Sequence, residues 1–114
     1  MKSHCQFWRR RFMMAVAEIS IIPIGTKSTS VSKHVVTALK VLRKEKKVMY
    51  ELTSMGTILE GELDDVLKAA KKMHEAVLEG GARRVVTTIK IDDRRDKPLT
   101  MSGKVESVVR KLQR

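Results

Sequence analysis

Apolar and polar positions alternate along residues 16–24 (VAEISIIPI), the two-residue period of a strand with one covered face. Ala17, Ile19 and Ile21 fall on one side, and Val16, Glu18, Ser20 and Ile22 on the other. Pro23 and Gly25 end the strand, and Ser28 or Ser30 is placed to cap a following helix. The period then changes: Val31, Val35, Leu39 and Leu42 make a stripe at helical spacing, opposed by Lys33, Lys40 and Lys44. Residues 48–55 (VMYELTSM) and 57–62 (TILEGE) read as two more strands. Ser54-Met55-Gly56 joins them as a tight hairpin in which Gly56 is free to take a positive φ. Over 63–79 the helical period returns, with Val66, Ala70, Met73 and Val77 in a row and Leu67 and Leu78 beside them. Asp64 and Asp65 suit the positive end of that helix, and Gly80-Gly81 stop it. A fourth strand over 84–92 (RVVTTIKID) and a last helix over 101–112, after Pro98, complete the pattern.

The order βαββαβ with an extra C-terminal helix predicts an α+β, ferredoxin-like domain. Its four-stranded antiparallel sheet carries both long helices on one face. If Ile19, Ile21, Tyr50, Leu52, Ile89 and Ile91 point toward the helices, the other face shows Glu18, Ser20, Ile22, Glu51, Thr53, Met55, Val86, Thr88, Lys90 and Asp92. Such a mixed face calls for a cover, and sheet-on-sheet association between subunits would supply it.

Composition narrows the classes. With 114 residues, 42% hydrophobic and 32% charged, the chain has the size and balance of one globular domain, assigned to residues 13–114. Residues 1–12 hold Lys2, Arg9, Arg10 and Arg11 without an acid, and read as a basic, poorly ordered extension. The rest of the net charge of +11 is interleaved with acids, and no aromatic cluster offers a base-stacking platform, so nucleic acid is not an expected partner. No apolar run approaches the ~20 residues that cross a bilayer, so neither is a membrane. A lone cysteine, Cys5, forms no intramolecular disulfide and fits the cytoplasm.

Chemical motifs are mostly absent. "PIGTKSTSVSKHVV", residues 23–36, has the outline of a phosphate loop, but Thr26 stands before Lys27 where a P-loop needs glycine. His4 with Cys5, His34 and His74 have no metal-ligand spacing, and no serine lies in a nucleophile elbow. No metal, cofactor or catalytic set is therefore expected. His34 reads as a helix-surface residue and His74 as half-buried. In "YELTSMGTILEGE", Thr53, Ser54, Thr57, Glu60 and Glu62 crowd around two glycines, as either a threonine-rich hairpin or a polar pocket wall. "IKIDDRRDKP" reads either as a solvated loop of exposed ion pairs or as Lys90, Asp92 and Arg94 sharing a ligand-binding side.

Together, "AEISIIPIGT", "SVSKHVV", "YELTSMGTILEGE" and "IKIDDRRDKPLTMSGKVESV" resemble the thiamine-binding protein family, also called UPF0045 or DUF77, over about residues 15–112. The resemblance implies sheet-joined homodimers or homotetramers that bind thiamine or its hydroxymethylpyrimidine part without catalysis, in thiamine supply or salvage. A sheet-pairing assembly module with no dedicated ligand is the alternative. The candidate ligand residues are Glu18, Ser20, Ile22, Thr53, Met55, Gly56, Thr57, Glu60, Thr88 and Lys90. Glu60 would accept from the exocyclic amine, Thr53 and Thr57 would read ring nitrogens, and Met55 with Ile22 would cover the ring. Two departures from the family pattern are Lys27, at a position often small, and Ser54, at a position often proline. Lys27 would disfavour a cationic thiazolium nearby.

Overall fold

The computed structural model describes residues 14–113. Its elements are β1 (Met14–Pro23), α1 (Ser32–Leu42), β2 (Met49–Leu52), β3 (Thr57–Glu62), α2 (Leu63–Glu79), β4 (Val85–Asp93) and α3 (Met101–Leu112). The sheet order is β2-β3-β1-β4, and each neighbouring pair is antiparallel. This is the ferredoxin-like α+β arrangement that the element order predicts. The basic extension over 1–12 lies outside the described residues.

Register fixes the two faces, because residues directly opposite share a side. Ile19 faces Thr57 and Ile89, Ala17 faces Leu59 and Ile91, and Leu52 faces Thr57. These make the layer beneath the helices. The opposite layer holds Glu18 against Ile58 and Lys90, Val16 against Glu60 and Asp92, and Ser20 against Thr88. The hydrophobic core joins Ala17, Ile19 and Leu59 of the sheet to Val66, Ala70, Met73 and Val77 of α2, with Ala38 and Leu42 of α1. Each of the larger buried side chains contributes on the order of 1.5–3 kcal/mol of transfer free energy. Beyond α2, Gly81 takes φ 115°, a left-handed conformation that ends the helix at little steric cost.

Three local expectations are corrected. Neither Ser28 nor Ser30 caps α1: the cap position is Val31, with no side-chain hydrogen bond. The serines bond among themselves instead, Ser28 Oγ accepting from Ser30 N at 3.1 Å and the hydroxyls of Ser30 and Ser32 pairing at 3.2 Å. β2 stops at Leu52, not at residue 55, because Thr53 turns the chain. Its backbone N–H and its hydroxyl both donate to Gly56 O at 2.8 Å, and its Oγ1 accepts from Gly56 N at 3.2 Å. Nor does Gly56 use a positive φ. Glycine is needed there for close approach, since a Cβ would sit 2.8 Å from the carbonyl oxygen of Ile19.

The face away from α1 and α2 is not bare either. The chain before α3 crosses it, burying Leu99, and the Met101 N–H donates to Glu60 Oε1 at 2.9 Å. Lys104 Nζ pairs with Asp92 Oδ2. Past these anchors α3 leaves the body, and its apolar stripe of Val105, Val108, Val109 and Leu112 is exposed.

Candidate functional site

The site follows from how α1 sits. This helix packs chiefly on α2, and between it and the sheet lies a cavity of about 590 Å³. That size falls within the range of small-molecule pockets, about 300–1,000 Å³. Ile19, Ile21, Leu52 and Thr57 line its floor, Val35 and Leu39 its roof, and Met73 of α2 its inner end. The Thr53–Gly56 turn and the serines 30 and 32 border it on the sheet and helix sides. The helical period of α1 and the strand period of β1 and β3 thus aim two apolar stripes at each other without meeting.

Six of the ten candidate residues line this cavity: Ser20, Ile22, Thr53, Met55, Gly56 and Thr57. Their chemical availability differs. Thr53 Oγ1 is occupied by the hairpin, accepting from Met55 N and Gly56 N while donating to Gly56 O. Thr57 is 5% exposed and lines the cavity; among the described residues no fully buried side-chain polar atom lacks a partner, so its hydroxyl, which makes no side-chain hydrogen bond, is reached from the cavity. A hydroxyl open to a largely apolar cavity offers one donor and two acceptor positions to a ligand or water. Ser20 and Ile22 reach this space only at its rim, since strand alternation sends both to the opposite sheet layer.

Glu18, Glu60, Thr88 and Lys90 do not line it. They belong to the opposite sheet face. Glu60, 6% exposed, uses its carboxylate to hold the first N–H of α3, where an anion is favoured by the helix dipole. Glu60→Ala is therefore expected to lower stability by about 1–2 kcal/mol, the scale of a lost helix cap. Thermal unfolding measures that loss; an unchanged midpoint would mean that the contact does not hold α3.

Lys90 and Asp92 also part from Arg94. Asp92 meets Lys104, whereas Arg94 forks onto Asp96 and Arg95 onto Asp93. The hydrogen bonds from Arg95 and Arg94 hold the carboxyls of Asp93 and Asp96 below their ordinary values. These exposed ion pairs are satisfied within their own loop. His74 Nδ1 and Thr87 Oγ1 share a 2.6 Å hydrogen bond that ties α2 to β4.

Two residues that matter here carry no polar signal in the sequence. Leu52 and Leu39 form opposing cavity walls because β2 is an edge strand and α1 stands off it. The helical stripe gave Leu39 a buried face, but nothing in the period says that the face meets a void. Among the described residues, no group of three or more metal-binding side chains is assembled, and no helix is long and apolar enough to cross a membrane.

Fold and cavity together define a ferredoxin-like domain with a ligand-sized space between its first helix and its sheet. The chain belongs to the thiamine-binding protein family, which matches residues 17–109. A UPF0045 protein of Methanothermobacter thermautotrophicus is 51% identical over 100 residues, covering 87% of this chain and all of that protein. The UPF0045 protein YqgV of Bacillus subtilis is 48% identical over 103 residues, covering 88% of this chain and 99% of its own length. Among solved structures, MJ1052 of Methanocaldococcus jannaschii superposes with a TM-score of 0.78 at 45% identity, covering 85% of this chain and 97% of that one. A DUF77 domain from Bacillus cereus gives 0.73 at 34% identity, covering 82% and 88%.

Proposed function

We propose that this protein is a non-enzymatic, oligomeric binder of thiamine or its hydroxymethylpyrimidine part, acting in thiamine supply or salvage in the cytoplasm. The ligand lies between α1 and the sheet. The observation that carries this reading is Thr57: a hydroxyl without a protein partner, open to an apolar cavity of ligand size. A flat pyrimidine suits that space, its ring against Ile19, Leu39 and Leu52 and one edge nitrogen or amine against Thr57. Family membership supports the ligand class.

Thr57→Val tests the reading, since it keeps the shape and removes the hydroxyl. Calorimetric titration with hydroxymethylpyrimidine is expected to show affinity about 5- to 10-fold weaker, the scale of one lost hydrogen bond. Thermal stability should be equal or higher, because no protein partner is orphaned. Unaltered affinity would remove Thr57 from the ligand contacts.

Self-association is proposed on separate grounds. The exposed α3 stripe and the exposed Ile22 and Val86 on the neighbouring sheet face are apolar surfaces that a second copy would cover. β4 also presents a nine-residue edge with no further strand beyond it among the described residues.

A further inference from the structure

We infer that His34 is a second ligand contact, holding the pyrimidine from the helix side of the cavity while Thr57 holds it from the sheet side. This deepens, and rests on, the pyrimidine-binding reading above. Sequence spacing reads His34 as a helix-surface residue, but the structure turns it inward. With Val31, Val35, Ala38 and Leu39 it lines the cavity, at the three- and four-residue steps of a single helix face. His34 is the one polar member of those five.

A polar side chain on an otherwise apolar face gives up transfer free energy that leucine or valine would gain there. Such breaks in a pattern are expected where a binding site needs them. The fold does not recover the loss internally. His34 is half-buried and makes no side-chain hydrogen bond or ion pair among the described residues. None of the described side-chain nitrogens or oxygens is both fully enclosed and unpartnered, so its ring nitrogens remain within reach of a bound molecule. His74 is the internal comparison. Its Nδ1 shares a 2.6 Å hydrogen bond with Thr87 Oγ1 and ties α2 to β4. The fold uses one of these histidines and leaves the other open at the cavity.

The chemistry matches. A neutral imidazole carries one N–H donor and one acceptor nitrogen, and an aminopyrimidine offers groups of both kinds around its ring. His34 precedes Leu39 by five residues, about 7.5 Å along the helix axis. With Leu39 over the face of the ring, the imidazole meets its edge. Thr57 approaches from β3, across the cavity from α1, so the two side chains bond different atoms. Apolar walls leave a flat ring free to rotate in its own plane, and two polar contacts from opposite walls fix it.

The full chain is titrated calorimetrically with hydroxymethylpyrimidine as wild type, His34→Leu, His34→Gln, Thr57→Val and the combined His34→Leu and Thr57→Val. His34→Leu is expected to bind about 5- to 10-fold more weakly, the scale of one lost hydrogen bond. Its thermal midpoint should be equal or higher, because leucine completes the apolar face. His34→Gln keeps a donor and an acceptor and should stay within about threefold of wild type. The combined variant should lose the product of the single effects, about 25- to 100-fold, since separate contacts add. His34→Leu binding as tightly as wild type, while Thr57→Val weakens binding, would overturn the second contact and leave the pyrimidine site standing. A combined variant no weaker than the worse single one would overturn it too, since both residues would then serve one bond. No binding by the wild type would overturn the pyrimidine reading itself, and this inference with it.

Discussion

Gly56→Val is expected to cause the largest loss of any single substitution near the cavity. A Cβ at this position meets the Ile19 carbonyl oxygen at 2.8 Å, and that atom belongs to the central strand of the sheet. The side chain at fault is the new one, attached directly to backbone, so no rotamer relieves the clash. Either β1 moves or the Thr53–Gly56 turn does. The turn is the weaker partner, held by Thr53 Oγ1 and the Thr53 N–H on Gly56 O. Overpacking of this kind costs about 1–3 kcal/mol, a sizeable share of a small domain's total stability of ~5–15 kcal/mol. Displacing the turn also displaces Leu52 and Thr57, on either side of it, which form the cavity floor. Pyrimidine affinity should fall more than tenfold, which is about 1.4 kcal/mol. Denaturant unfolding and calorimetry on the same variant measure both effects. Retention of full stability would mean that the hairpin relaxes freely and that Gly56 is not required for close packing.

The second large effect concerns assembly. Val105→Asp combined with Val109→Asp places two carboxylates on one helical stripe of α3, at positions four residues apart. In the isolated chain both sites are exposed, Val105 at 63%, so the monomer should fold normally. Buried between copies, each carboxylate would cost several kcal/mol, and the pair should weaken self-association by more than about a thousandfold. Sedimentation velocity at micromolar concentration should then show a monomer in place of the oligomer proposed for the wild type, with an unaltered circular dichroism spectrum. An unchanged oligomer would place the subunit contact elsewhere, on the β4 edge or the sheet face. A monomeric wild type would end the assembly proposal.

Much of this was legible in the sequence, for a physical reason. Strand and helix periods differ enough that Val16–Ile22 and Val66–Val77 could only be one thing each, and their order left one common sheet topology. The face assignment also followed, because alternation sets it and tertiary packing rarely overturns it. What the period could not express was separation. The stripe Val31, Val35, Leu39 reads the same whether it meets the sheet or a cavity. Likewise Glu60 and Thr57 lie three residues apart in one polar-looking segment, yet opposite faces send one to cap α3 and the other into the cavity. Ser28 and Ser30 had the residue type of caps and the wrong partners, since neighbouring serines competed for the same bonds. The stop of β2 at Leu52 likewise came from a side chain, Thr53, bonding to backbone rather than from any hydrophobic period.

The most direct test of the ligand site is a crystal structure of the full chain grown with hydroxymethylpyrimidine. The account predicts ring density between Leu39 and Leu52, with an edge atom within hydrogen-bond distance of Thr57 Oγ1. Density on the opposite sheet face, beside Glu60 or Lys90, would contradict it, as would an unliganded cavity at saturating concentration.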